Sequence, residues 1–146
     1  MLYETGGEFI SVEQEVEIIS DYIALEKMRY DDTLHINFKQ EIDNTKQPLP
    51  PLLLIPLVEN AFKHGVSETS EKPVVDIDLS VRKQRLIFLV RNSTEGTIGE
   101  KTVKENIGLS NLRRQLELLY KDYSLTVQQN ETDFIATLKI NLASHG

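Results

Sequence analysis

The sequence contains no cysteine and no long apolar run. Without cysteine the chain can form neither disulfides nor thiolate metal sites, and its composition fits a reducing compartment. No stretch approaches the roughly 18 consecutive apolar residues that a membrane-spanning helix needs, and no basic leader precedes an apolar segment. We therefore expect a chain that neither crosses a membrane nor carries a secretion signal.

Positive charge is also scarce, since 16 Lys and Arg residues against 23 Asp and Glu residues give a net charge of -7. Nucleic acid backbones are held by many Lys and Arg contacts, so this balance argues against a general nucleic-acid surface. A bound phosphate would have to be held locally, by a few cations, backbone amides or a metal ion. The apolar content of 40% in 146 residues is enough for one core and predicts one domain.

The most informative stretch runs from Leu49 to Gly65 and reads LPPLLLIPLVENAFKHG. On a helical wheel, an arc of about 140° carries Glu59, Asn60, Lys63 and His64. An ordinary surface helix would carry interchangeable Lys and Glu there, whereas an acid, an amide, an amine and an imidazole suit a metal-bound anion. The stretch therefore predicts a helix, the organising helix, that forms one wall of a site. Its apolar side consists of Leu54, Ile55, Leu57, Val58, Ala61 and Phe62.

Two other helices are indicated by apolar residues at spacings of three and four. The first should begin at Ser11, which forms a capping box with Gln14, and should run to about Tyr30. In the organising helix, Pro50 and Pro51 suit the entrance, whereas Pro56 should disturb the first turns. The last helix should run from about Gly108 to near Tyr120. The apolar stripes are Val12, Val16, Ile19 and Ile23 in the first helix and Leu109, Leu112, Leu116 and Leu119 in the last.

Alternating apolar and polar residues predict the strands. A charged turn at 82–85 joins two of them in a hairpin, and a long irregular loop covers 91–106. Residues 142–146 carry no structural signal. Because hairpins dominate and helices do not separate every strand, an α+β layered sandwich is favoured over a doubly wound parallel sheet. The predicted strands are 34–38, 75–81, 86–90, 123–129 and 134–141.

A second half of the site is predicted at residues 105–111, where the irregular loop meets the last helix. Gly108 at a helix start lets the backbone approach a ligand closely, and free amides with the helix dipole favour an anion there. Arg113 and Arg114 could add positive charge. A plain junction between loop and helix is the alternative.

The stretches LPPLLLIPLVENAFKHG and NIGLSNLRRQLELLY resemble the ATP-binding half of bacterial sensor histidine kinases of the LytS/YehU type, in the GHKL superfamily of ATPases. The opening ISVEQEVEIISDYIALEKMRYDDTLHINFKQEI is similar to the segment that joins the phosphoacceptor region of that family to its ATPase domain. The resemblance implies a Bergerat-type two-layer α/β sandwich, with a mixed, mostly antiparallel sheet and helices on one face. Residues 1–32 would be the connecting helix, 33–141 the ATPase domain and 142–146 a tail.

The resemblance also assigns roles to particular residues. ATP would lie between the organising helix and a lid at 91–105, and Asn60, in the ENAxKH motif, would hold the Mg²⁺ that bridges the phosphates. Glu59 would orient a water or the phosphoacceptor, and a surface role is an equal alternative. The other residues implied to bind the nucleotide are Lys63 and His64 beside the phosphates, Asn106, Ile107, Gly108 and Leu109 in the second glycine-rich motif, and Asn92 and Thr132 near the adenine. Arg113 is a further candidate binding residue because it lies within the first two turns of the last helix.

Three positions depart from the family pattern. Pro56 stands where many histidine kinases have a polar residue, and Asn106 replaces a glycine. Asn92 stands where the adenine-reading motif usually has an Asp. As a neutral acceptor, the Asn92 amide should bind the adenine amino group more weakly than a carboxylate would.

Nothing in the sequence resembles the NPHFLFN stretch that carries the phosphoacceptor histidine in this group. The three histidines present, His35, His64 and His145, are poor substitutes. We therefore expect a cytoplasmic fragment of a membrane-anchored receptor, with no nucleic acid partner and no membrane contact of its own. In the full-length protein, its partners would be a phosphoacceptor helix, a response regulator and a second copy in a homodimer.

Three hypotheses follow for the function. The first is the ATP-binding catalytic domain of a sensor histidine kinase, which binds Mg-ATP without phosphorylating itself. The second is a degenerate domain that keeps the sandwich and serves only for dimerisation or docking. The third is an ATPase of the same superfamily that acts by hydrolysis.

Overall fold

The computed structural model describes residues 9–30, 34–63, 73–93, 107–130 and 132–145. The helices and strands in these ranges do not follow a regular βαβ repeat. In chain order they are β1 (Ile10–Ser11), α1 (Val12–Arg29), β2 (His35–Ile42), β3 (Pro48–Leu49), α2 (Ile55–Ala61), β4 (Val74–Arg82), β5 (Arg85–Ser93), α3 (Ile107–Leu119), β6 (Tyr123–Gln129), β7 (Asp133–Asn141) and a 3-10 helix (Leu142–Ser144).

Five of the strands form one sheet in the order β2-β4-β5-β7-β6. β2 pairs with β4 in parallel, while every other neighbouring pair in this sheet is antiparallel. A parallel pair needs a crossover connection, and the segment between β2 and β4 contains α2. The sheet is therefore mixed and mostly antiparallel, as the resemblance implies.

One face of the sheet is apolar and packs against all three helices in a single core. Alternation along the strands places these residues on the same face, because cross-strand partners point the same way. The predicted α+β sandwich with helices on one face is confirmed. The buried residues of the three central strands are Val75, Ile77, Leu79 and Val81 in β4, Leu86, Phe88 and Val90 in β5, and Ala136, Leu138 and Ile140 in β7.

The start of α1 has the predicted capping box. The Ser11 hydroxyl accepts from the Gln14 amide at 3.1 Å, and the Gln14 side chain accepts from the Ser11 amide at 3.0 Å. Val12 and Ile19 of α1 are completely buried in the common core. The boundary at residue 32 stays a prediction, but α1 packs as part of the same body as the sheet.

The start of α2 differs from the prediction. The helix begins at Ile55 and has Pro56 in its first turn, whereas Pro50 and Pro51 lie before it. A proline in the first turn lacks only an N–H that would have no partner within the helix, so it fits there without cost. The prediction that Pro50 and Pro51 form the entrance and that Pro56 disturbs the helix is therefore wrong.

Two segments predicted to be irregular are ordered. β5 continues to Ser93, so the predicted loop and lid do not begin at Arg91. The rest of that segment, 94–106, lies outside the described residues. The tail is also structured, since Leu142 is buried and its amide donates to the Gln84 carbonyl at 2.7 Å. Such backbone hydrogen bonds leave no periodic signal in the sequence, which explains why the tail was missed.

Candidate functional site

α2 supplies the first predicted group of site residues. Its apolar side is buried as expected, but Asn60 is also buried, with 6% of its surface exposed. Glu59 is half-buried and Lys63 is exposed. α1 and α3 both pack against this short helix. The wheel therefore separated polar from apolar residues correctly but overestimated the exposure of Asn60.

α3 supplies the second predicted group. Ile107 is the first residue of this helix, Gly108 is exposed in its first turn, and Leu109 is buried. α2 packs against α3 and also against β5. α2, which carries Asn60, therefore lies between α3 and β5 in the chain's packing contacts.

Asn92 in β5 is the most unusual polar residue of this region. It lies on the helix-covered face of the sheet and is 2% exposed. Its Nδ2 donates to the Ser93 carbonyl at 3.1 Å, whereas its Oδ1 is buried and has no hydrogen-bond partner among the described residues. A buried acceptor without a donor costs about 1 to 3 kcal/mol. Such an atom calls for a partner from outside these residues, such as a ligand or an ordered water.

A polar row on the opposite face of the sheet holds the end of β5. The Arg91 guanidinium donates to Asp76 at 2.6 Å and to Asp133 at 3.2 Å, and Asn37 donates to Asp76 at 2.8 Å. The hydrogen bond from Asn37, followed by the hydrogen bond and charge of Arg91, lowers the pKa of the Asp76 carboxyl. The row joins β2, β4, β5 and β7, and thereby fixes the strand on which Asn92 lies.

Two further predicted binding residues have protein partners in the structure. The Arg113 Nη1 donates to the Leu125 carbonyl of β6 at 2.8 Å. Thr132 is exposed in the turn between β6 and β7, where its hydroxyl lies 3.3 Å from Asn130 Oδ1 and 3.2 Å from Asp133 Oδ2. Asp133 is paired with Ser93, so this turn lies at the same end of the sheet as Asn92.

Glu59 faces α1. Burial, the nearby Glu26 carboxylate and, more weakly, Glu59 raise the pKa of the Tyr22 hydroxyl, which places Glu59 within electrostatic reach of that helix. Tyr22 also contacts Phe62 edge to face, with ring centroids 5.7 Å apart. The wall of the region behind Asn60 is therefore built jointly by α1 and α2.

Two residues of the structure, Arg91 and Glu15, were not predicted to matter. Arg91 was assigned to a loop, and Glu15 was not noticed, although it lies between Val12 and Ile19 on the apolar stripe of α1, where a carboxylate is unusual. His64 and Asn106 lie outside the described residues.

Within the described ranges, no group of three or more His, Asp or Glu side chains could hold a metal ion by itself. No helix in the same part of the chain is long and apolar enough to cross a membrane.

The chain has relatives among sensor kinases, although no protein-family model matches it. It is 33% identical over 122 residues to the sensor histidine kinase YpdA of Escherichia coli, a match that covers 77% of this chain and 21% of YpdA. It is 27% identical over 135 residues to the sensor protein LytS of Staphylococcus epidermidis, covering 84% of this chain and 23% of LytS. The chain thus spans about a fifth of the length of these relatives.

Solved structures with the same fold include histidine kinase domains. The histidine kinase domain of the blue-light activated kinase from Erythrobacter litoralis EL346 superposes with a TM-score of 0.70 at 18% identity, covering 99% of this chain and 72% of that one. The catalytic domain of the histidine kinase ThkA superposes with a TM-score of 0.61 at 19% identity, covering 92% and 97%. ThkA has also been solved in complex with the response regulator protein TrrA, and there the TM-score is 0.58 at 17% identity, covering 91% and 41%.

Proposed function

We propose that this chain, a homologue of sensor histidine kinases such as LytS with the GHKL-type fold of a histidine kinase catalytic domain, binds Mg-ATP and positions it for phosphoryl transfer to a histidine. One structural observation supports this proposal above all. The Asn92 Oδ1 is buried without a donor among the described residues, on a strand that packs against the helix of Asn60.

The base would bind at Asn92. The exocyclic amino group of adenine is a hydrogen-bond donor, and Asn92 Oδ1 is an acceptor in need of one. Its Nδ2 is already engaged by the Ser93 carbonyl, which orients the oxygen away from that bond. Because the amide is neutral, we expect the bond to be weaker than one to a carboxylate, and its strength to be independent of pH near neutrality.

The triphosphate and its metal would bind toward α2 and the start of α3. Asn60 would supply an amide oxygen to Mg²⁺, an ion that keeps several waters and commonly takes the rest of its ligands from phosphates. This fits the lack of any larger metal-ligand cluster among the described side chains. Lys63, exposed next to α2, and the backbone amides around Gly108 would offset phosphate charge.

The chemistry would consist of positioning and charge neutralisation, as in other phosphoryl transfers. Mg²⁺, when bound, would neutralise charge on the phosphate oxygens. Glu59 would orient the acceptor imidazole, which would come from a phosphoacceptor helix in a longer receptor that works as a homodimer. A response regulator would then receive the phosphoryl group, by analogy with the ThkA–TrrA complex.

Calorimetry and thermal unfolding with Mg-ATP test the proposal. A ligand that binds only the native state raises its stability, so Mg-ATP should raise the unfolding temperature of the chain. Asn60→Ala should lower the Mg-dependent affinity about tenfold or more, equivalent to about 1.4 kcal/mol. Asn92→Leu should weaken binding of ATP with and without Mg²⁺. Gln40→Ala, an exposed amide on β2, is the matched control and should bind normally.

Each contrary result has a definite meaning. If the folded wild-type chain does not bind Mg-ATP, the kinase proposal fails, and a docking domain becomes the better description. If the chain binds Mg-ATP but also releases phosphate on its own, it acts as an ATPase by hydrolysis. Unchanged affinity in Asn60→Ala would remove Asn60 from the metal site.

A further inference from the structure

A completely buried carboxylate lies at the start of the helix that carries Asn60. Glu15 of α1 has no exposed surface, and its two oxygens accept from the backbone amides of Leu52 at 3.0 Å and Leu54 at 2.9 Å. Burial raises the pKa of the Glu15 carboxyl, while hydrogen bonds from backbone amides, first that of Leu54 and then that of Leu52, oppose that rise. The carboxylate thus holds two backbone amides of the turn that precedes α2.

No side chain caps α2 at its start. The helix is seven residues long, and its N-cap residue Leu54 makes no side-chain hydrogen bond to it. Isolated helices of this length are unstable in water, so their position depends on tertiary contacts. Leu52, in the turn before the helix, has a positive φ of 61°, which a non-glycine residue adopts only when its surroundings enforce it. The Glu15 carboxylate supplies that constraint, because it binds the amide of Leu52 itself.

Further contacts join the start of α1 to residues 45–49, the chain that leads into α2. β1 and β3 pair antiparallel, and the Val12 and Glu13 amides donate to the carbonyls of Gln47 at 2.9 Å and Thr45 at 3.0 Å. Lys46 and Glu13 form an ion pair at 3.0 Å. The first turns of α1 and the chain leading into α2 therefore form one unit, and Glu15 is the part of it that reaches the helix start.

We propose that Glu15 is a positioning residue, which sets the place of α2, and hence of Asn60, relative to α1. It does so through the Leu52 and Leu54 amides and touches neither nucleotide nor metal. A displacement of α1 would be transmitted to Asn60 by this carboxylate. The binding part of the inference rests on the proposed function, whereas the structural part does not.

Amide hydrogen exchange tests the structural part without any ligand. Glu15→Gln keeps the shape of the side chain but offers one acceptor, so one of the two amides loses its partner. We expect exchange in residues 52–61 to accelerate about tenfold while exchange in β4 and β5 stays unchanged, because local openings depend on local contacts. Glu17→Gln, an exposed acid of the same helix, is the matched control and should exchange like the wild type. Uniform acceleration over the whole chain would overturn the proposal.

Mg-dependent nucleotide affinity tests the link to Asn60. Glu15→Gln should lower the affinity for Mg-ATP several-fold and leave the affinity for ATP without Mg²⁺ unchanged. In an Asn60→Ala background the same substitution should have no further effect, since a residue that acts through another is not additive with it. If Glu15 had a purely structural role, Glu15→Gln would weaken both affinities equally, and its effect would add to that of Asn60→Ala. That result would contradict the proposal.

If Glu15→Gln does not fold, Glu15→Asp replaces it, because the shorter carboxylate keeps the charge but cannot reach both amides; the same regional pattern of exchange is expected. If the wild-type chain binds no nucleotide, the proposed function fails while the exchange experiment still decides the role of Glu15.

Discussion

At the scale of single residues, the unusual feature is how polar groups are buried. Asn60 of α2, Asn92 of β5 and Glu15 of α1 are all buried, and α2 packs against both α1 and β5. Glu15 is satisfied by two backbone amides, whereas one oxygen of Asn92 has no partner among the described residues. Burying a polar group is costly unless it is hydrogen-bonded. The hydrogen-bonded carboxylate of Glu15 therefore stabilises the fold, whereas the buried oxygen of Asn92 suggests a binding site.

Asp76 provides a prediction of pH dependence. Its native-state pKa is lowered, first by Asn37 and then by Arg91. The stability that it contributes is therefore fully present above its ordinary pKa of about 4 and is lost as the pH falls through the lower native-state pKa. Asp76→Asn should be less stable than the wild type at pH 7, and the difference should shrink in acid. Urea unfolding of both proteins, from pH 7 into acid, measures this difference in the free energy of unfolding.

Asp78→Asn serves as the control for this experiment. Asp78 lies two residues further along β4, on the same face of the sheet, and is exposed. Its substitution should change the stability little at any pH, since isolated surface charges contribute little. A difference between Asp76→Asn and the wild type that stays constant with pH would show that the hydrogen-bonded row does not depend on the charge of Asp76.

The sequence indicated only part of this residue chemistry. The ENAxKH stretch singled out Asn60, and the residue type of Asn92 indicated an amide acceptor. Burial of both, and the missing partner of Asn92 Oδ1 among the described residues, depend on which helices cover the sheet, which no local pattern contains. Glu15 interrupts an apolar stripe, and a charged residue at such a position is the one signal that could have revealed it.

At the scale of secondary-structure elements, local rules predicted boundaries well where capping or alternation was clear. α1 starts with its capping box, α3 starts within one residue of the predicted glycine, and β6 has the predicted bounds. The errors occur where an element depends on neighbours. β5 is extended to Ser93 by pairing with both β4 and β7, which outweighs its polar residues.

The hairpin between β4 and β5 offers a prediction at this scale. Lys83 and Gln84 form a two-residue turn with φ values of 50° and 64°, a conformation that favours Asn followed by Gly. The double substitution Lys83→Asn with Gln84→Gly places that pair in the turn. The double variant should be more stable by about 1 kcal/mol, because left-handed backbone costs non-glycine residues about that much or more.

Thermal unfolding measures this gain as a rise of about 3 °C for a chain of this size. The backbone contacts of the turn, Lys83 N to Asp43 and Leu142 N to the Gln84 carbonyl, are kept in the variant. Lys121→Asn, a substitution at an exposed position, is the control and should give no rise. A loss of stability in the double variant would mean that the two side chains make contacts that outweigh the backbone strain.

At the scale of the whole molecule, the last described residues complete the fold. Leu142 is 5% exposed within the core, and His145 pairs with Tyr120 and lies edge to face against its ring, with centroids 5.6 Å apart. Burial there raises the pKa of Tyr120 to about 12. Residues 142–145 thus pack against the C-terminal end of α3 and against the turn at Gln84.

Leu142→Ala should destabilise the domain by about 2 to 5 kcal/mol, the usual cost of removing a buried leucine side chain. Leu118→Ala is the control, because Leu118 on α3 is 72% exposed and should contribute within about 0.5 kcal/mol. Denaturant unfolding compares the two. Equal stability of the Leu142 variant and the wild type would return residues 142–145 to the status of an unstructured tail.

The sequence by itself determined the α+β class, the mostly antiparallel sheet and the helix that carries Asn60, because apolar periodicity and turn chemistry are local and specify which face of each element is buried. Only the tertiary structure decided how deeply Asn60 and Asn92 are buried, that Glu15 holds the start of α2, and that Leu142 belongs to the core. These outcomes depend on contacts between residues far apart in the chain, and the free energy of burying a polar or apolar group is set by such neighbours rather than by its own segment.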